Sequence, residues 1–253
     1  MKILFPILFL ISFGLSQGQN RLTDHNSIGW FAYNGTFTVS ERFSLHTEYQ
    51  WRRDDYVKNW QQGLLRVGVN YKLTPETLVR IGYAWAETYP SGDIPINSYG
   101  KTFTEHRAFE MVQLSNTIEK LNISHRFMLE QRWIGRYSSA ALDSEDSFVF
   151  SNRLRYMLRL QLPVYKQLYV AAYDEIFCGF GKNIGENIFD QNRFGALAGY
   201  QFSKNVRIEG GYLNQIVQLG REIGGKNAFQ KNSGFIVSGI FNFDLQKAKM
   251  TTN

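Results

Sequence analysis

The sequence predicts an all-β protein, an antiparallel transmembrane β-barrel of about twelve strands, of which eleven are readable. Three observations predict it. After residue 20, apolar and polar side chains alternate strictly through most of the chain, and no apolar stretch reaches the length of a membrane-spanning helix. The connections alternate between short turns and longer polar loops, as they do at the two ends of an outer-membrane barrel. Composition agrees: the chain is 15% aromatic, yet its mean hydropathy is -0.31. A barrel reconciles the two, because half of each strand faces lipid while the other half stays polar.

The elements follow in order. Met1-Lys2 is a short basic start, Ile3 to Phe13 is mostly apolar, and small or polar residues follow. That run is too short to span a bilayer, so residues 1–19 are read as a signal peptide cleaved near Gly18 or Gln19. The barrel is expected over residues 20–245, with a basic tail at 246–253. Cys178 is the only cysteine. It lies far from the leader, which excludes lipid attachment there, an internal disulfide and a multi-cysteine metal site.

Strands are expected near 28–39, 43–52, 60–72, 77–87, 105–116, 121–134, 147–162, 167–178, 190–202, 206–216 and 231–245. The pattern is plain at 43–52, where Phe43, Leu45, Thr47, Tyr49 and Trp51 oppose Ser44, His46, Glu48, Gln50 and Arg52. It is clearest at 148–162, where Leu154, Tyr156, Leu158 and Leu160 oppose Arg153, Arg155, Met157 and Arg159. Short turns carry turn residues, as in Thr74-Pro75-Glu76 and Ser203-Lys204-Asn205. Longer loops are expected at 53–59, 88–104, 135–146, 179–189 and 217–230. Eleven strands break the even parity of bacterial barrels, and a short twelfth strand around 19–26 would restore it.

Aromatic placement gives a second test. Trp30, Trp51, Trp60, Trp85 and Trp133 all fall at the long-loop ends of their strands, as an interfacial girdle should. Tyr71, Tyr169, Tyr200, Phe202 and Phe243 would form the belt at the opposite end.

The net charge of +6 is divided by residue type. Lysines occupy the leader, turns, loops and tail, whereas arginines lie inside strands on the polar face. Facing lipid at mid-depth, an arginine would cost about 2–4 kcal/mol, so that face is the lumen. The expected lumen-lining set is Glu48, Arg66, Arg80, Arg107, Arg126, Glu130, Arg132, Arg153, Arg155, Arg159, Arg193, Arg207 and Glu209, with Glu175 near it. Arginine suits a crowded interior because its planar fork can bridge carboxylates. The set reads either as a structural network filling a narrow barrel or as an anion-attracting channel. Because the basic residues alternate with apolar ones and form no patch, nucleic acid is not expected as a partner.

Catalysis has little support. His125 shares the outer face with Phe127 and Leu129, where a lipid-modifying acyl hydrolase could place a histidine, but no motif frames a serine beside it. There is no phosphate-binding Walker loop, HExxH or GxSxG, and no cofactor or metal is expected.

The run His125-Arg126-Phe127-Met128-Leu129-Glu130-Gln131-Arg132 stands with Glu105-His106-Arg107, Asp174-Glu175 and Asn192-Arg193. Together they resemble an uncharacterised conserved family of bacterial proteins, a domain of unknown function of Bacteroidetes type. The resemblance covers about Ile28 to Leu245 and implies an outer-membrane β-barrel with no established activity or site residues. The sequence thus predicts an exported, monomeric barrel of the cell outer membrane, surrounded by outer-membrane lipids and inserted by the barrel assembly machinery. Small anionic solutes are its expected ligands if the lumen is open, and none is expected if the arginines are fully paired.

Overall fold

The computed structural model describes residues 20–185 and 187–246. The leader expected at 1–19 and most of the tail expected at 246–253 therefore lie outside the described residues. Eleven strands follow in order: β1 (Arg21–Thr38), β2 (Phe43–Asp54), β3 (Asn59–Lys72), β4 (Thr77–Thr88), β5 (Phe103–Ile118), β6 (Leu121–Arg136), β7 (Ser147–Tyr165), β8 (Leu168–Phe180), β9 (Phe189–Gln201), β10 (Val206–Ile223) and β11 (Lys226–Asp244). They close into one barrel in which each strand pairs with its sequence neighbours.

The predicted all-β barrel is present, with corrections, two of them at its closure. Residues 21–26 are not a twelfth strand: they pair with Asn227 to Asn232 in the same register as the rest of β1 and are simply its beginning. Closure is therefore made by β1 and β11 running parallel, and the sheet is mixed at that one seam. The parallel ladder runs unbroken from Arg21↔Asn227 to Thr38↔Asp244, so no open edge is left along it for another strand to fill.

A third correction concerns the expected loop at 217–230. β10 and β11 continue as a hairpin to a two-residue turn, Gly224-Gly225, with φ of 57° and 72°. A tight hairpin whose twist matches its strands needs positive φ at both central positions, which glycine accepts without strain. Lys226 and Lys231 accordingly belong to a strand, and Lys231 faces outward.

Alternation sorts the faces. Leu45, Tyr49, Leu65, Val67, Val69, Ile81, Val112, Leu114, Leu154, Val170 and Ile208 are exposed on the outer wall. A closed barrel with such a band is a transmembrane β-barrel, since open water would leave that apolar area unburied. Inside lie the polar and charged side chains, among them Glu48, Arg66, Glu105, Arg107, Glu130, Arg153 and Arg155, all buried.

Four tryptophans sit outside near the long-loop end. Trp51 and Trp60 meet at 5.9 Å, Trp60 meets Tyr89 at 5.4 Å, and Trp133 meets Phe150 at 5.4 Å. Trp85 shares the outer face of β4 with Ile81 and Tyr83. Trp30 does not join them. Even-numbered residues of β1 point inward at this level, so Trp30 is 4% exposed, and Phe31 takes the outer position against Trp51. Inside, its Nε1 donates to Gln61 Oε1 at 2.7 Å. Tyr169 is likewise inside rather than in the opposite belt, donating to Glu209 Oε1 at 2.7 Å.

Candidate functional site: an arginine chamber in the lumen

All thirteen residues expected in the lumen fall on the inward face of their strands. Most join one chain of ion pairs. Arg107 donates to Glu105 at 2.7 and 2.9 Å, and Arg132 reaches the same carboxylate at 3.2 Å. Arg132 and Arg153 share Asp190 at 3.5 and 2.8 Å. Arg153 and Arg155 share Glu130, at 2.8 and 2.7 Å. From there Arg155 and Arg126 share Glu175, at 2.7 and 2.9 Å. Nearer the short turns, Arg159 donates to Glu209 at 2.6 Å, with Arg207 at 4.0 Å. Arg66 pairs with Glu48, which also meets His46 Nε2 at 3.3 Å, while Arg80 donates to the Asn70 amide oxygen.

Sequence reading missed five charged residues of the lumen, among them Arg136 and Arg221 at the long-loop end. Glu105 and Asp190 are central carboxylates of the chain, and Arg52 lines the lumen between Gln50 and Gln62. Glu105 and Arg52 were legible by parity with Arg107 and Glu48. Asp190 was not, because a register shift at Phe177/Cys178 turns it inward beside Gln191.

The lumen is layered. At the long-loop end is a chamber of about 340 Å³, within the range of small-molecule sites. Among the described residues its wall carries Arg52, Arg107, Arg132, Arg136, Arg153, Arg193 and Arg221 against Glu105 and Asp190. One step toward the short turns lies an apolar floor: Leu64 follows Gln62, Phe109 follows Arg107, Leu213 precedes Gln215 and Phe177 precedes Gly179. Each of the four is at most 1% exposed. Phe177 carries three guanidinium groups, those of Arg155, Arg193 and Arg153, at 4.5, 4.7 and 5.2 Å from its ring centroid. Phe109 fits because Gly82 faces it; a Cβ there would come within 2.6 Å of the ring. Below the floor, Met111 and Met128 pack against Phe109 and Leu78 before the lumen turns charged again.

The β4–β5 loop, 89–102, bends over the chamber and is tied to the opposite wall. Gln230 donates to the carbonyls of Ser91 and Ile94 at 3.1 and 2.8 Å, and Asp24 accepts from the Ile94 amide at 3.1 Å. Arg221 donates to the carbonyls of Pro95 and Ile96.

His125 has a different environment from a catalytic one. Its Nδ1 lies 2.9 Å from the Tyr156 hydroxyl on the outer wall. Ser115 and Ser124, whose hydroxyls are 3.4 Å apart, face inward and cannot reach it. Among the described residues no three His, Cys, Asp or Glu side chains are grouped to hold a metal ion.

This closed wall and charged interior define a transmembrane β-barrel protein. The chain belongs to the family described as "Protein of unknown function (DUF2490)", whose model matches residues 28–222. The residues that carried the family resemblance are network members: Glu105, Arg107, Arg126, Glu130, Arg132, Glu175 and Arg193. Asp174 and Asn192 bond to each other at 2.9 Å on the outer face, behind the Glu175–Arg193 pair. No curated protein matches the chain. Among solved structures it is similar to one described as "NanC porin structure in rhombohedral crystal form", with a TM-score of 0.47 and 11% identity, covering 85% of this chain and 97% of that one.

Proposed function

We propose that the protein is an outer-membrane barrel that takes small anions into an arginine-lined chamber at its long-loop end and blocks their free diffusion at an apolar floor. The observation that carries this reading is the surplus of guanidinium groups on the chamber wall, where, among the described residues, seven arginines face two carboxylates. Charge of one sign focused in a low-dielectric cleft concentrates counter-ions there. The floor of Leu64, Phe109, Phe177 and Leu213 supports closure, since all four side chains are buried at the level directly beneath the chamber.

In this reading residues 1–19 direct export and are removed, the assembly machinery inserts the barrel, and outer-membrane lipids surround a single copy. Conductance in planar bilayers tests it. The native protein is expected to show no steady open-pore current, whereas Phe109→Ala combined with Phe177→Ala opens a current that favours chloride over potassium. A cation-selective current in the double variant overturns the reading, as does a wide native pore. A purely structural barrel is favoured by one observation, the unbroken run of ion pairs from Arg107 to Arg126. It predicts no anion uptake into the chamber.

A further inference from the structure

The chamber arginines are not neutralised evenly. Arg107, Arg132 and Arg153 each grip a carboxylate at 3.2 Å or less. Arg52 grips none: among the described residues it forms no ion pair, and its donors go to the amide oxygens of Gln50 and Gln62. It is nonetheless only 5% exposed. Arg193 has Glu175 no closer than 4.0 Å, and its buried Nε has no partner. Both guanidinium groups lie over the same indole, with Arg52 at 3.9 Å and Arg193 at 5.1 Å from the Trp30 ring centroid. Arg52 also stands within repulsive range of Arg193, Arg107 and Arg66, with Glu48 as the attractive charge near it.

Two like charges beside an open cavity, Arg52 buried and Arg193 half-buried with an orphaned buried donor, form an arrangement short of an anion. A buried charge left without a counter-charge or a full set of hydrogen bonds is costly, and a ligand supplying both relieves it. We infer that Arg52 and Arg193, backed by Trp30, form a discrete site for a compact solute bearing a carboxylate or phosphoryl group. This inference rests on the chamber being open to anions, and it adds a saturable site where the broader reading needs only attraction. Gln191 and Gln215, whose side chains pair at 2.6 Å in the chamber wall, offer the ligand's remaining atoms neutral polar partners. The planar forks suit two-point contact with an oxyanion, which a lysine could not give.

The test uses the purified barrel in detergent micelles, titrated calorimetrically with inorganic phosphate and separately with citrate, against chloride of equal ionic strength. Saturable heat is expected with phosphate, citrate or both, and none with chloride; which arm responds identifies the group recognised. Arg52→Gln and Arg193→Gln should each weaken affinity about tenfold or more, the loss of a charged hydrogen bond. Lys204→Gln, in a short turn at the other end, should leave it unchanged. A variant-free readout is available because Trp30 is the one buried indole of five. Saturating anion should shift tryptophan emission and shield it from iodide. Absence of saturable heat with both anions overturns the site, and so does unchanged affinity in both arginine variants or unmoved emission. Anion selectivity in the floor-opened variant would still stand if only this site failed.

Discussion

Arg107 grips Glu105 with two parallel hydrogen bonds of 2.7 and 2.9 Å, although the two residues are neighbours on the same face of a single strand. Both are almost wholly buried, at 7% and 3% side-chain exposure. Because Arg132 reaches the same carboxylate from β6, Glu105 ties two strands together and starts the ion-pair chain that crosses the lumen wall. Breaking a buried pair leaves a charge unpaired in low dielectric, which costs about 3–5 kcal/mol.

Glu105→Gln should therefore destabilise the barrel by about 3–5 kcal/mol, because Arg107 loses its paired carboxylate and Arg132 keeps only the longer contact with Asp190 at 3.5 Å. The urea midpoint of the barrel refolded in liposomes reports it. An unchanged midpoint would show that chamber water, not Glu105, satisfies both guanidinium groups.

Leu154→Arg tests the outer wall. Leu154 is 47% exposed midway along β7, between the inward residues Arg153 and Arg155. A lipid-facing arginine at that depth should cost about 2–4 kcal/mol and reduce the heat-modifiable, membrane-inserted form. Wild-type insertion would place that face in water.

Arg221→Ala should free the loop over the chamber, since Arg221 holds the Pro95 and Ile96 carbonyls across the mouth. With Cys178 replaced by serine, a cysteine at the buried position of Asn97 reports the change by thiol labelling. Loss of a charge-assisted bond should raise the labelling rate about tenfold. An equal rate in both backgrounds would assign the hold to Gln230 and Asp24.

Gly224→Ala and Gly225→Ala should each cost about 1–2 kcal/mol, the penalty of a left-handed conformation for a residue with a Cβ. The expected signature is a lower unfolding midpoint with the outer wall unchanged. No shift in either variant would mean that the hairpin turn re-forms with another geometry.

Much of the fold was legible because period-two alternation is local. The inward set from Glu48 to Glu209 can be sorted by parity alone, since one residue of slip would drive every arginine into lipid. Parity failed where a strand began earlier than its alternation showed. β1 starts at Arg21, not near Ile28, and Trp30, assigned to the girdle by its height along the strand, shares the inward face of Ile28. It failed again at Asp190, where a register shift adds a residue. The expected loop at 217–230 concealed a hairpin because its polar residues resemble loop residues when only one partner strand is considered.

Sequence by itself determined the class of structure: a closed sheet with an apolar outer wall, a charged lumen, and arginines confined to the inward face. Those follow from short-range chemistry, namely alternation, turn residues and the cost of charge in lipid. Tertiary structure decided the closure and the site. Whether β1 meets β11 parallel or through a twelfth strand depends on long-range register between residues more than two hundred positions apart, as in Arg21↔Asn227. Which arginines are neutralised and which are left facing a cavity depends on contacts between different strands, such as Arg153 with Asp190 and Arg52 with Trp30. Alternation specifies the face of the sheet on which a charge lies, but the partner it meets is fixed only when the barrel closes.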